Sequence, residues 1–363
     1  MRILMISFDP ITEVGGVEGR ARTYIRHLVA SGHQIQTFDL SRRRRREEIT
    51  LFGTRVTFLS PSIRQLPVAL GSVLKDVILS KPDGIFILSG ADTFVGIILL
   101  AFSRILRKKT GVFIYGKDML YARTHPARNL ALKLGLRLAR KVGTNSRATA
   151  TLLPAFAQNK LLILYPGVDP EIIKDLGSIA PSSGKILFVG RLVKRKGADD
   201  LIRAFSILVK DLPDASLEIV GDGSERQRLE TLTTDLRIQN SVRFSGSLTG
   251  VELYQKYAEC TVFCMPSRTL RDDVEGFGTV FLEAGIFGKP SVATKSGGIT
   301  EAIIDGETGL LVEEGGLQAL SDVLTKLLRS RDLSRTLGDN ARRRVVNEFT
   351  STKATERLLG MFN

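Results

Sequence analysis

The sequence is poor in the residues from which metal, redox and disulfide sites are made: 363 residues hold three His, two Cys and no Trp. Cys260 and Cys264 stand at C-x3-C spacing with no second pair and no His nearby, so neither a zinc framework nor a disulfide scaffold has anything to build on. They are read as small apolar fillers of a core, in keeping with a reducing cytoplasm. Long apolar runs are missing as well. The longest, from Ile85 to Phe102, is interrupted by Ser89-Gly90, Asp92 and Gly96. A bilayer span takes about 20 mostly apolar residues, so this stretch reads as a buried strand, a turn and a helix. The opening MRILMISFDP has too short an apolar stretch for a signal peptide and meets Asp9-Pro10 at once; it reads as a first strand.

Acidic residues are scarce in one half only. The formal charge is +14, yet residues 1 to 170 hold 26 Lys+Arg against 11 Asp+Glu, a net of +15, while residues 171 to 363 hold 26 against 27, a net of −1. A basic half points to a polyanionic partner. Nucleic acid is disfavoured, because aromatics make up 7% of the chain and the basic half carries no recognisable nucleic-acid module. Arg42 to Arg46 form an unbroken run, and residues 128 to 141 carry Arg128, Lys133, Arg137, Arg140 and Lys141 among Leu130, Leu134 and Leu138. The leucine stripe is expected to face its own domain.

What is present is a rhythm. Short β-branched or apolar runs at Ile3 to Phe8, Ile35 to Leu40, Gly84 to Leu88, Val112 to Tyr115, Lys185 to Val189, Ser216 to Val220, Val242 to Phe244, Thr261 to Met265 and Ser291 to Thr294 alternate with helical segments. That is the pattern of α/β proteins with parallel sheets. In each half the first strand ends in a glycine loop that opens a helix, at Gly15-Gly16 and at Gly190 to Gly197. Residues 166 to 184 are rich in Pro, Gly, Ser and Asp and form the best linker. The expected architecture is two Rossmann-like doubly wound domains facing each other across a cleft, residues 1 to 170 and 171 to 346, with residues 347 to 363 packing back on the first.

The second half holds the chemistry. Gly190, Arg191 and Lys196 flank a loop beside a helix start near Asp199, where two cations and backbone N–H groups can converge on a diphosphate. In EGFGTVFLEA, Glu275 lies in a Gly-rich turn, the next helix begins near Gly278-Thr279, and Glu283 follows eight residues after the first acid. Helix-start amides bind anions, and the carboxylates beside them accept hydrogen bonds from sugar and ribose hydroxyls.

Together with GRLVKRKG, YPGVDP, IVGDGSERQRLE, VRFSGSL, GKPSVATKSGG and DGETGLLV, the E-x7-E pattern resembles the retaining nucleotide-sugar glycosyltransferases of family 4, which have the two-domain GT-B fold. The resemblance spans nearly the whole chain. It implies a hexosyltransferase that uses a UDP- or GDP-sugar as substrate and passes the sugar to a glycan or lipid-linked acceptor. It further implies that Arg191 and Lys196 neutralise the leaving diphosphate, helped by Gly16, Gly190, Gly276, Phe277, Gly278 and Thr279. Glu275 then binds the donor sugar, and Glu283 the ribose. No D-x-D triplet occurs, only Asp199-Asp200 and Asp272-Asp273, so no metal or other cofactor is expected. Where many relatives carry His at a strand end of the first domain, this sequence has Tyr115; with Lys117 and Asp118 it forms the candidate acceptor side. Tyr of ordinary pKa near 10 is a poor general base at neutral pH. Many relatives work at the inner face of the cell membrane, so the resemblance also implies peripheral binding to an anionic membrane surface through Arg42, Arg43, Arg44, Arg45 and Arg46 and the helix of residues 128 to 141. A nucleotide-sugar epimerase or phosphorylase is the alternative within the fold.

Overall fold

The computed structural model describes residues 1–11, 16–41, 47–59, 66–176 and 182–363. The Arg42 to Arg46 run lies outside these. The chain divides into two compact units, Met1–Gly167 with Ser351–Asn363, and Val168–Thr350. These divisions fall within a few residues of 170 and 346.

In the first unit, β1 (Arg2–Ser7), α1 (Gly16–Ala30), β2 (Gln34–Asp39), β3 (Glu47–Leu51), β4 (Thr54–Phe58), α2 (Leu66–Leu79), β5 (Gly84–Ile87), α3 (Phe94–Ile105), β6 (Lys109–Ile114), α4 (Gly116–Thr124), α5 (Pro126–Leu138), β7 (Lys141–Thr144), α6 (Arg147–Ala150), α7 (Ala155–Gln158) and β8 (Leu161–Ile163) follow in order. The sheet order is β3-β4-β2-β1-β5-β6-β7-β8, parallel except for the β3–β4 pair. Residues 2 to 7 show how the sequence makes a central strand. Ile3 and Met5 pack on one face with Tyr24, Ile25, Leu28 and Phe113, while Leu4 and Ile6 pack on the other with Val73, Leu99, Leu132 and Leu136. A parallel sheet covered on both faces needs apolar residues at both parities.

The second unit runs β9 (Lys185–Val189), α8 (Ala198–Asp211), β10 (Ser216–Val220), α9 (Arg226–Asp235), β11 (Val242–Gly246), α10 (Gly250–Glu259), β12 (Val262–Met265), α11 (Thr279–Ile286), β13 (Ser291–Thr294), α12 (Ile299–Ala302), β14 (Gly309–Val312), α13 (Leu317–Arg329) and α14 (Arg331–Glu348). Its order, β11-β10-β9-β12-β13-β14, is all parallel. This is the doubly wound order in which the chain reverses direction across the sheet between β9 and β12. The last helix, α15 (Ser351–Leu359), belongs to the first unit, where Ala354, Leu358, Met361 and Phe362 join the α1 face of the core.

Five strands lie outside the sequence expectation: β3, β4, β7, β8 and β14. The β3–β4 hairpin is charged and half exposed, and it turns through Phe52 and Gly53, both with positive φ (50° and 78°). A second difference concerns α5. Leu132, Gly135 and Leu136 are its buried face, whereas Leu130 and Leu134 are 69% and 44% exposed. Leu130 and Leu134 therefore point to solvent, because the buried residues recur one helical step away from them, and of the stripe only Leu138 is partly buried against the core.

Candidate functional site

Open doubly wound sheets bind ligands beyond the C-terminal ends of the strands where the order reverses. In the second unit that place is the end of β9 and β12. The chain leaves β9 at Gly190, whose N–H donates to Val220 O at 3.0 Å, and a 3-10 turn over Lys194–Lys196 follows. Successive residues in such a turn point about 120° apart, which separates exposed Lys194 from buried Arg195 and largely buried Lys196. Gly197 then takes φ 69°, and a Cβ there would stand 1.9 Å from Pro266 O. Only glycine brings the start of α8 this close to the loop after β12.

Glu275 is buried, 8% exposed. Its Oε2 accepts from Lys196 Nζ at 2.6 Å and Arg195 Nη1 at 2.5 Å, with Ser267 Oγ at 3.5 Å. Arg195 Nε also donates to Asp273 at 2.8 Å. Burial pushes the Glu275 carboxyl up, but Lys196 and then Arg195 outweigh it and hold its pKa down to about 2. It is therefore an anion at any physiological pH. Its Oε1 has no partner among the described residues.

Glu283 is held differently. It lies on α11, where the Tyr257 hydroxyl donates to its Oε2 at 2.7 Å. Burial raises its pKa, while the Tyr257 hydrogen bond and the Lys196 charge pull it down only in part. At the start of α11, after Gly278 at φ 86°, the Phe281 N–H donates to Gly278 O at 3.0 Å, which leaves the Thr279 and Val280 N–H groups without an acceptor in the helix. Arg191 is exposed with no side-chain partner among the described residues, and its charge reaches Lys196, adding to burial in lowering the lysine pKa against the pull of Glu275. Arg191, Lys196, Glu275 and Glu283 thus form one electrostatic cluster.

Gly276 and Thr279 are half buried beside it. Phe277 is 2% exposed, its ring 5.5 Å from that of Phe349; it is a core side chain, so a part in donor binding falls to its main chain. Arg195 and Asp273 were not singled out by the sequence. Arg195 stands in a Lys-Arg-Lys run that reads as solvated, and the signal that could have found it is the 3-10 spacing facing the Asp272-Asp273 pair. Among the described residues no group of three His, Cys, Asp or Glu is placed to hold a metal ion.

Gly16 and the candidate acceptor residues belong to the first unit. Gly16 opens α1. The Tyr115 hydroxyl is buried without a partner among the described residues, and burial drives its pKa upward. Asp118 Oδ2 accepts from the Tyr115 N–H at 2.9 Å at the start of α4; burial raises its pKa to about 6, outweighing that hydrogen bond and Lys117. Lys117 is exposed.

Two family models match consecutive stretches of the chain: Glycosyltransferase Family 4 over residues 14–172 and Glycosyl transferases group 1 over residues 171–344. The chain belongs to glycosyltransferase family 4. This family 4 chain is 40% identical over 145 residues to a GDP-mannose-dependent α-(1-6)-phosphatidylinositol monomannoside mannosyltransferase of Mycolicibacterium smegmatis, a match covering 39% of this chain and 38% of that one. Among solved structures, sucrose-phosphate synthase of Thermosynechococcus elongatus superposes with a TM-score of 0.82 at 21% identity, covering 99% of this chain and 98% of that one. Anabaena HepE in complex with UDP gives 0.79 at 21% identity, covering 99% of both chains. The shared fold is the two-domain GT-B fold.

Proposed function

We propose that this family 4 glycosyltransferase moves a hexose from a UDP- or GDP-sugar to a glycan or lipid-linked acceptor, with retention of configuration and without a metal ion. The observation that carries the reading is the Lys196–Glu275 pair: a buried cation and a buried carboxylate 2.6 Å apart, with one carboxylate oxygen unengaged, beside a helix N-terminus. A diphosphate on Arg191, Lys196 and the α11 amides places the sugar next to Glu275 Oε1, which accepts from a sugar hydroxyl. Glu283 takes a ribose hydroxyl. As the C1–O bond to phosphate breaks, the two cations and the helix amides stabilise the charge that develops on the departing diphosphate. The acceptor oxygen bonds to C1 from the same face, and its proton passes to the departing phosphate oxygen. Glu275, paired with two cations, positions and stabilises charge and forms no covalent bond.

The phosphatidylinositol acceptor in the name of the mycobacterial relative supports a lipid-linked acceptor here. So does the exposed α5 face, where Leu130 and Leu134 stand beside Lys133 and Arg137. No described helix is long and apolar enough to cross a membrane; the bilayer contact we propose is peripheral, at an anionic surface.

The test is a thermal-shift screen against nucleoside diphosphate sugars, followed by product analysis with and without EDTA. A new α-linkage with release of nucleoside diphosphate in EDTA is expected. Glu275→Ala should lower turnover by about 10² to 10³ while nucleotide binding persists. A free epimerised sugar, or full turnover in Glu275→Ala, contradicts the reading.

A further inference from the structure

At the other end of the first unit's sheet lies an open-sided cavity of about 490 Å³ lined by Arg104, Lys109, Arg140, Lys141 and Lys160, with Ala139 and Met361 as its apolar part and Asn363 at its edge. Five cations line it and no acidic side chain does. A carboxylate at Asn363 would offset one of the five charges.

The fold explains why the cations converge. Lys109 and Lys141 are the first residues of the neighbouring parallel strands β6 and β7, so they enter the sheet from one end. Arg104 lies in the last turn of α3, and Arg140 follows α5. Lys160 is fixed: its Nζ donates to Leu136 O, Arg137 O and Ala139 O at 3.3, 3.0 and 2.9 Å. It closes the C-terminus of α5 and contributes charge with no donor left over. Among the described residues Arg104 reaches only the Leu138 carbonyl, at 3.5 Å. Lys109, Arg140 and Lys141 have no side-chain partner among the described residues. Burial, and after it the nearby Arg104, lower the Lys160 pKa.

We infer that this cavity is a binding site for a compact ligand carrying two or more phosphate groups. Its volume is in the range of small-molecule sites, and four cations with free N–H donors match several phosphate oxygens. It is separate from the donor site, which belongs to the other unit, and from the candidate acceptor side. β6 runs six residues from Lys109 to Ile114, about 17 Å of strand, and Tyr115 comes after them. The same chemistry comes from two sources: a soluble polyphosphate or the phosphorylated headgroup of a lipid. Ile105 and Leu106, 77% and 39% exposed, follow Arg104 directly, so an apolar edge stands next to the cations.

The probe is inositol hexakisphosphate, titrated calorimetrically into the full chain. Wild type and Lys196→Ala should bind it alike. Lys109→Glu/Lys141→Glu should weaken binding at least tenfold, and so should Arg104→Gln/Arg140→Gln, whose exposed side chains leave the fold intact. Arg335→Glu/Arg342→Glu, equal in charge change but on the other unit, should stay within threefold. Affinity within threefold of wild type in both cavity variants, or an equal loss in the control pair, overturns the site. Sedimentation with phosphatidylcholine vesicles, with and without phosphatidylinositol bisphosphate, assigns the source. Loss of phosphoinositide-dependent binding in the cavity variants assigns a headgroup; unchanged vesicle binding assigns a soluble ligand.

Discussion

Arg195 Nη1 donates to Glu275 Oε2 across 2.5 Å, while Nε of the same guanidinium holds Asp273 at 2.8 Å. One buried side chain therefore ties the glycine loop after β9 to the segment after β12, and it fixes which Glu275 oxygen is engaged and which is open. Arg195 positions the carboxylate proposed to meet the donor sugar.

Removing it should be read in a pH profile. With Arg195→Ala, Lys196 alone offsets the burial of Glu275, so the carboxyl pKa rises from about 2 and the acid limb of kcat/KM moves to higher pH. Truncating one partner of a buried pair costs about 3 kcal/mol or more, so the midpoint of thermal unfolding should fall too. Arg195→Lys should recover part of the acid limb. An unchanged profile between pH 3 and 7 in Arg195→Ala would show that the guanidinium does not govern Glu275.

The linked stability has a definite sign. Glu275 has a folded pKa below its ordinary value of 4.5, so its contribution is complete above about pH 4.5 and is lost as pH falls from there towards 2. Glu275→Gln should flatten that part of the curve of unfolding free energy against pH, relative to wild type. Equal acid slopes in the two proteins would contradict the pairing.

Nine of the fourteen strands among the described residues were readable from the chain because each rests on local chemistry. Residues 186 to 189 are continuously apolar, 216 to 220 and 291 to 294 are rich in apolar or β-branched residues, and β9, β10 and β13 form there with the expected bounds. β3 was not readable, since EEITL is charged and lies at the sheet edge, where burial imposes no pattern. Glu275, Glu283, Arg191 and Lys196 were marked by motif and family resemblance. Arg195 was hidden because its value comes from a tertiary contact 80 residues away, and no local spacing encodes that. The Leu130 and Leu134 stripe shows the reverse: its i+4 spacing is real, yet i+4 spacing alone does not say which of two neighbouring faces is buried.

Gly197 can be tested by one methyl group. With φ at 69° and Pro266 O at 1.9 Å from the position of a Cβ, Gly197→Ala has to displace either α8 or the loop after β12. The strain and the shift should cost about 2 kcal/mol or more, several degrees in melting temperature, and donor KM should rise because Lys196 is the adjacent residue. Wild-type melting and KM in Gly197→Ala would mean that the two segments are not held this closely.

Glu283 and Glu275 should separate in kinetics. Tyr257→Phe removes the hydroxyl that donates to Glu283 at 2.7 Å and leaves the Lys196–Glu275 pair in place. A hydrogen bond to a charged acceptor is worth about 1.5 to 3 kcal/mol, so donor KM should rise about tenfold while kcat stays within about twofold. A fall in kcat equal to that of Glu275→Ala would place Glu283 with the reacting sugar and not with the ribose.

The α5 face makes a prediction that charge alone does not. Basic residues near an anionic leaflet contribute about 1 kcal/mol each, and that part weakens as salt screens it. Leu130 and Leu134, 69% and 44% exposed beside Lys133 and Arg137, add an apolar part that salt does not screen. Leu130→Ser/Leu134→Ser should therefore reduce sedimentation with anionic vesicles several-fold at low salt and nearly abolish it in 0.5 M salt, where wild type retains some binding. Since both side chains face solvent, melting temperature and turnover on a soluble acceptor should be unchanged. If the serine variant and wild type lose binding in parallel as salt rises, the leucines do not enter the bilayer and the contact is electrostatic alone.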